Sequence, residues 1–209
     1  MNRIFLAPVF RGTYPEDVLD DLRGVHDLAG DVRDGDMAAI SAPLDHLGVN
    51  YYYAYALAGD GPGNAGPEWV AAGDVRFLPQ PEPRTEMDWA VDAPGMVESL
   101  RQAHAYAGGI PLAITENGAA YPRSIEDEDR RAYLEAHVRA CGDAIAEDLP
   151  LTAYLVWSLL DNFEWARGYG MRFGIVDVDF ETLVRTPRRS ARWLGKVARA
   201  NGIPADFPA

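Results

Sequence analysis

The chain has 209 residues, enough for one large domain or two small ones. Hydrophobic residues make up 48% and charged residues 24%, a globular composition that excludes intrinsic disorder. Lys and Arg total 19 against 32 Asp and Glu, so the net charge of −13 sets aside phosphate backbones and anionic membrane surfaces as partners.

No stretch approaches the roughly 20 apolar residues of a membrane span. The single cysteine, Cys141, leaves no internal disulfide framework and no multi-cysteine metal site. Residues 1–10 lack the basic segment, apolar run and cleavage site of a secretory signal, so the expected location is cytoplasmic.

In chain order, residues 1–8 read like the end of an element already under way, and 15–23 as a short helix. The first strand is expected over 46–53 (HLGVNYYY). A Gly/Pro-rich loop over 58–94 follows, then a helix over 95–107. The second strand is 111–115 (PLAIT), followed by a helix over 125–148. Ser124 with Asp127 three residues on resembles a capping box at its start. Tyr133, Leu134, Val138, Cys141, Ile145 and Leu149 recur at helical spacing and predict one buried stripe, with Cys141 a packed thiol. The acidic run 126–129 falls in the first turn, where the helix dipole favours it. The third strand is 152–159 (TAYLVWSL), then a β-like stretch over 173–180 and a helix over 188–200. Short apolar strands alternating with helices predict parallel βαβ units. Only three are present, against eight in a (β/α)8 barrel.

Three stretches carry chemistry-bearing residues. In ITENG, simple alternation puts Leu112, Ile114 and Glu116 on one face, with the carboxylate at the strand's C-terminal end. That end is where parallel α/β folds bind ligands. A solvated loop glutamate before an Asn-Gly turn fits the same five residues. In DNFEWARGY, 161–169, two carboxylates, an amide and three aromatics match the hydroxyl edges and C–H faces of a sugar; a packed core-edge loop is the alternative. Trp157 alternates with Leu155, and Leu112, Ile114 and Leu155 are expected on the inward face. In LGVNYY, alternation sets Gly48, Asn50 and Tyr52 against Val49 and Tyr51. Asn and Tyr on an inward face are poor core residues without partners. A half-buried edge strand with a wet face is the competing reading. His26, His46, His104 and His137 share no ligand spacing. No Walker loop, dinucleotide fingerprint or nucleophile elbow is present.

Taken together, these stretches resemble glycoside hydrolase family 1, the β-glucosidase family. The resemblance runs from Asn2–Leu6, Pro8, Gly12, Tyr14 and Pro15 through LGVNYY and PLAITENGAA to Val156–Trp193. It implies an α/β fold: one partial domain over 1–209, the C-terminal portion of a (β/α)8 TIM barrel, comprising repeats six to eight and the helical end of repeat five. It implies retaining hydrolysis of β-glycosidic bonds without a cofactor or metal. Glu116 would be the nucleophile, and Tyr52 would orient it, with Asn50 nearby. Glu164 and Trp165 would bind glycone hydroxyls, Trp157 would form the floor and Phe173 would help close the wall. The 58–94 loop would border the leaving-group side.

The family's Asn-Glu-Pro motif, which carries the general acid/base, does not occur in the chain. An N-terminal barrel segment is therefore the expected partner, alongside a β-glucoside or oligosaccharide substrate. The alternative is a non-catalytic fragment that binds sugar weakly or packs with a partner chain.

Overall fold

A computed structural model describes residues 3–203. Asn2, the first residue of the family-like segment, lies outside them. In chain order the elements are α1 (Arg3–Arg11), α2 (Glu16–Leu22), α3 (Leu28–Asp31), α4 (Asp36–Ile40), β1 (Leu47–Asn50), β2 (Leu57–Ala58), β3 (Arg76–Phe77), α5 (Ala93–Ala107), β4 (Leu112–Asn117), α6 (Glu128–Ala146), β5 (Leu151–Val156), β6 (Val176–Val178), β7 (Arg185–Pro187) and α7 (Arg189–Ala200). They fall into two compact units. One holds residues up to 47, 55–79 and 102–111; the other holds 48–54, 80–101 and everything from 112 onward.

The first unit contains α1 to α4 and the β2–β3 hairpin, paired antiparallel with Leu57 opposite Phe77. Tyr55, Trp69 and Phe77 pack ring against ring at centroid separations of 4.8 to 5.3 Å. These rings give structure to a stretch whose Gly and Pro content reads as loop.

The second unit carries the sheet. Strand order is β1-β4-β5, and β4 and β5 run parallel, joined through α6. The parallel βα organisation expected from the strand–helix alternation is present. The apolar core joins Ala119, Tyr133, Leu134, Ile175, Trp193 and Val197, with Tyr154 and Val156 of β5 packed against it.

Two expectations for α6 need correction. Its N-cap is Asp127, and Ser124 lies three residues before it. The Asp127 carboxylate makes no capping bond; it accepts from Arg130 at 2.7 Å and from the Ser190 N–H at 2.9 Å, which ties the start of α6 to the start of α7. The buried stripe also differs at its C-terminal end. Ile145 is 55% exposed, whereas His137, Ala140, Cys141 and Ala144 are buried. Small residues occupy the inward positions there, and Ile145, one residue and about 100° further round the helix than Ala144, turns outward.

A buried ionic cluster braces the chain after β5. Arg188 is fully buried just before α7. Its guanidinium donates to both oxygens of Asp161, at 2.9 and 2.8 Å, and to Asp177 at 2.7 Å. Asp161 also accepts the N–H of Gly174 at 2.9 Å and an Arg172 N–H at 3.2 Å. Arg123, which donates to the Asp177 carboxylate, holds that carboxyl below the usual carboxylate range against the opposing effect of burial. A planar fork meeting carboxylates edge-on is the geometry arginine offers and lysine lacks.

Removing the guanidinium leaves buried Asp161 without its two-pronged partner and takes from Asp177 one of its arginines. Arg188→Met is expected to cost about 3–5 kcal/mol, measured by urea unfolding. Arg188→Lys, which keeps the charge but loses the fork, should recover only part of that loss.

Candidate active site

The site forms where β1 and β4 end, and it depends on an irregularity in β4. Ile114 pairs with Tyr154, and the next paired residue, Asn117, pairs with Val156. Strand β4 therefore advances three residues while β5 advances two. One extra residue in a strand is a bulge, and it reverses the side-chain alternation beyond it. Ile114 and Asn117 both lie on the helix-covered face, and both are fully buried. Thr115 is exposed, and Glu116 turns to the open side and meets Tyr52.

This overturns the expectation that Leu112, Ile114 and Glu116 share a face. Leu112 and Ile114 are also not inward residues lacking a wall, since both are buried against the helical layer. Leu155 does face the open side, at 50% exposure.

Tyr52 donates its hydroxyl to Glu116 Oε2 at 2.7 Å. Burial, reinforced by this bond to a carboxylate, pushes the Tyr52 phenol well above its ordinary value, so the group stays a donor. The Tyr52 ring packs against Trp89, centroids 5.3 Å apart, and edge-on against Phe173 at 6.3 Å. Phe173 is buried at 2% exposure and braces Tyr52 from behind. Trp89 also stacks on Tyr53 at 5.0 Å. Sequence reasoning missed Trp89, because an isolated aromatic in a Gly/Pro-rich stretch has no periodicity to place it.

Asn50 projects from the exposed side of β1, where its Oδ1 accepts from the Thr115 hydroxyl at 2.7 Å. The alternation expected for LGVNYY holds: Gly48 and Asn50 are exposed, while Val49 is half-buried and Tyr51 buried. Gly48 is required there, since an added Cβ would lie 2.9 Å from the Thr115 side chain.

The 161–169 segment divides its polar groups between two tasks. Asp161 is consumed by the Arg188 cluster, so it does not offer a carboxylate to a sugar as the composition of that segment predicts. Glu164 is half-buried and hydrogen-bonds the Trp157 indole. Burial pushes its carboxyl above the ordinary carboxylate range; the Trp157 bond opposes this, and the negative charge of Glu116 adds to it. Glu116 and Glu164 therefore sense each other across the site. Trp165 opens the short 3-10 turn Trp165–Arg167 and is 82% exposed.

Gly118 closes the strand end. An added Cβ would sit 1.6 Å from the Trp157 carbonyl oxygen. Only glycine lets the backbones after β4 and β5 approach this closely. No group of three or more metal-ligating side chains occurs among the described residues.

Two outcomes follow from this geometry. Gly118→Ala should force the strand ends apart and lower stability by about 1–3 kcal/mol, read from denaturant midpoints. Glu116→Gln should lower the titration midpoint of Glu164, followed by carboxyl-carbon NMR, because it removes a neighbouring negative charge. An unchanged Glu164 midpoint would show that the two carboxyls are electrostatically independent.

Known proteins share this fold. The model of the family "Glycosyl hydrolase family 1" matches residues 1–203. The chain is 43% identical over 210 residues to a thermostable beta-glucosidase B of Thermobispora bispora, covering 97% of this chain and 42% of that protein. It is 39% identical over 207 residues to a bifunctional beta-D-glucosidase/beta-D-fucosidase of Bifidobacterium breve, covering 92% of this chain and 45% of that protein. Among solved structures, a psychrophilic beta-glucosidase from Micrococcus antarcticus superposes with a TM-score of 0.87 at 40% identity, over 96% of this chain and 47% of that one. The family 1 β-glucosidase of Thermotoga maritima superposes with a TM-score of 0.83 at 36% identity, over 96% and 44%. The chain thus spans less than half the length of these relatives. With a family model matched over residues 1–203 and relatives about 40% identical over nearly all of the chain, the chain belongs to glycosyl hydrolase family 1.

Proposed function

We propose that this chain is the nucleophile-bearing part of a retaining β-glucosidase. The observation that carries the reading is the 2.7 Å hydrogen bond from Tyr52 to Glu116 at the C-terminal end of a parallel strand. A nucleophile must present one oxygen along the line of attack, and a fixed donor on the other oxygen does that. Glu116 attacks the anomeric carbon and forms a covalent glycosyl-enzyme. A second carboxyl about 5–5.5 Å away protonates the leaving oxygen and then activates the water that releases the sugar.

Glu164, Trp157 and Trp165 bind the glycone. Glu164 accepts hydroxyl protons, and the indoles pack against the C–H face of the ring. Asn50 adds a polar group beside the nucleophile. Because Glu164 is committed to the sugar, the acid/base comes from a further segment bearing the family's Asn-Glu-Pro motif. In this reading β1, β4 and β5 are barrel strands six, seven and eight. Further strands then pack over the exposed side of the sheet, where Gly48, Asn50, Thr115, Ala153 and Leu155 are uncovered. Lacking the acid/base alone lowers the rate by about 10²–10⁴-fold, so the chain by itself is expected to turn over aryl β-glucosides poorly.

The test combines the purified chain with a separately expressed segment carrying the first five strands of a family relative. An activated 2-deoxy-2-fluoro-β-glucoside should then label Glu116, located by peptide mass mapping. Label on any other residue would overturn the assignment. In the same mixture Glu164→Ala should lower kcat/KM by about 10–100-fold, the worth of one charge-assisted bond.

A further inference from the structure

Beneath Glu116, on the far side of the sheet, Asn117 is completely buried and fully partnered. Its amide nitrogen donates to the Tyr51 carbonyl at 2.8 Å and to the Tyr133 hydroxyl at 3.0 Å. Its amide oxygen accepts from the Tyr154 hydroxyl at 2.7 Å. The Tyr133 hydroxyl in turn donates to the Tyr52 carbonyl at 3.2 Å. One side chain therefore links the chain after β1 to β4, to β5 and to α6.

The main chain completes the frame. The Tyr51 N–H donates to the Glu116 carbonyl at 2.9 Å, and the Trp157 N–H donates to the Asn117 carbonyl at 2.8 Å. Tyr133 is held in turn by His137, one helical turn on. The two rings stack at 4.0 Å, and His137 Nδ1 bonds the Tyr133 carbonyl at 2.8 Å.

We propose that Asn117 and Tyr133 are positioning residues that set the Tyr52–Glu116 hydrogen bond from the buried side of the sheet. The two ends of that bond sit on separate segments: Tyr52 follows β1, and Glu116 lies in the bulge of β4. Neither segment's local geometry fixes the distance between them. The Tyr51–Glu116 backbone bond joins the segments at one point, and the amide adds two more, gripping the Tyr51 carbonyl directly and the Tyr52 carbonyl through Tyr133, while its own backbone is continuous with Glu116. The residue type is specific. Aspartate has no N–H to give to Tyr51 or Tyr133, and leucine would leave three polar groups, the Tyr51 carbonyl and the Tyr133 and Tyr154 hydroxyls, short of a partner. The catalytic meaning of this arrangement rests on reading Glu116 as the nucleophile; the bond itself does not.

The test reads the bond and not turnover, using the full chain labelled with 13C at tyrosine Cζ. The Tyr52 signal is assigned by its loss in Tyr52→Phe. In the wild type this signal should step with acid, because protonating Glu116 removes the charge that Tyr52 bonds. Tyr133→Phe keeps the ring and its stacking on His137, yet should shift the Tyr52 signal toward that of a water-exposed tyrosine and abolish most of the acid-dependent step. Asn117→Ala should do the same. If Asn117→Ala does not fold, Tyr133→Phe alone carries the test. Val178→Ala, a cavity in β6 beside Asp161 and Arg185, should lower the melting temperature and leave the Tyr52 signal unchanged. A wild-type Tyr52 signal and step in Tyr133→Phe would overturn the proposal. So would an equal change in Val178→Ala, which would make the effect one of general stability. A positive result here together with sugar label on another residue would overturn the catalytic reading and leave the positioning role standing.

Discussion

The single extra residue in β4 is the constraint from which the site follows. Without it, alternation would place Glu116 among the helices, where an unpaired carboxylate costs several kcal/mol. With it, Glu116 and Asn117 part to opposite sides of the sheet. The carboxylate reaches an open face beside Tyr52, and the amide occupies a buried position that satisfies all its hydrogen-bonding groups. A bulge weakens the local ladder, and the side-chain bonds of Asn117 to three neighbouring segments replace what the ladder loses.

A second constraint acts on the segment that carries Glu164. That stretch has little regular structure of its own, only a 3-10 turn. Its start is anchored by Asp161, whose carboxylate receives Arg188, Arg172 and the Gly174 N–H. The two carboxylates of the segment thus have different fates. Asp161 is consumed in structure by its two arginines. Glu164 sits in partial burial near another negative charge, with its carboxyl pushed upward. Of the two, only Glu164 is held in place without an arginine to neutralise it.

Both arrangements rely on polar groups buried at some cost. Arg188, Asn117 and His137 are all fully buried. Their placement exacts a desolvation penalty that apolar packing would avoid. In return they define distances between segments that apolar contacts leave slack. Arg188 and Asn117 do so through bonds to several segments each, whereas His137 bonds the Tyr133 carbonyl and leaves its Nε2 unpartnered.

Much of this was legible in the sequence. Strand–helix alternation, the outward set Gly48 and Asn50 against Val49 and Tyr51, and the burial of Cys141 all follow from short-range patterns of period 2 or 3.6, and the family-like motifs are legible by resemblance. The residues of ITENG and DNFEW could be singled out because carboxylates and aromatics at strand ends are chemically unusual. Tertiary structure alone decided which side Glu116 faces, because a bulge is a mismatch of register between β4 and β5, and a single strand's sequence does not record its partner's count. It alone separated Asp161 from Glu164, because Arg188 lies 27 residues beyond Asp161 and nothing local links them. It alone placed Trp89 against Tyr52 and Phe173, and put Ala144 rather than Ile145 on the inner face of α6. Periodicity reports what each segment prefers by itself, whereas these outcomes are set by contacts between segments far apart in the chain.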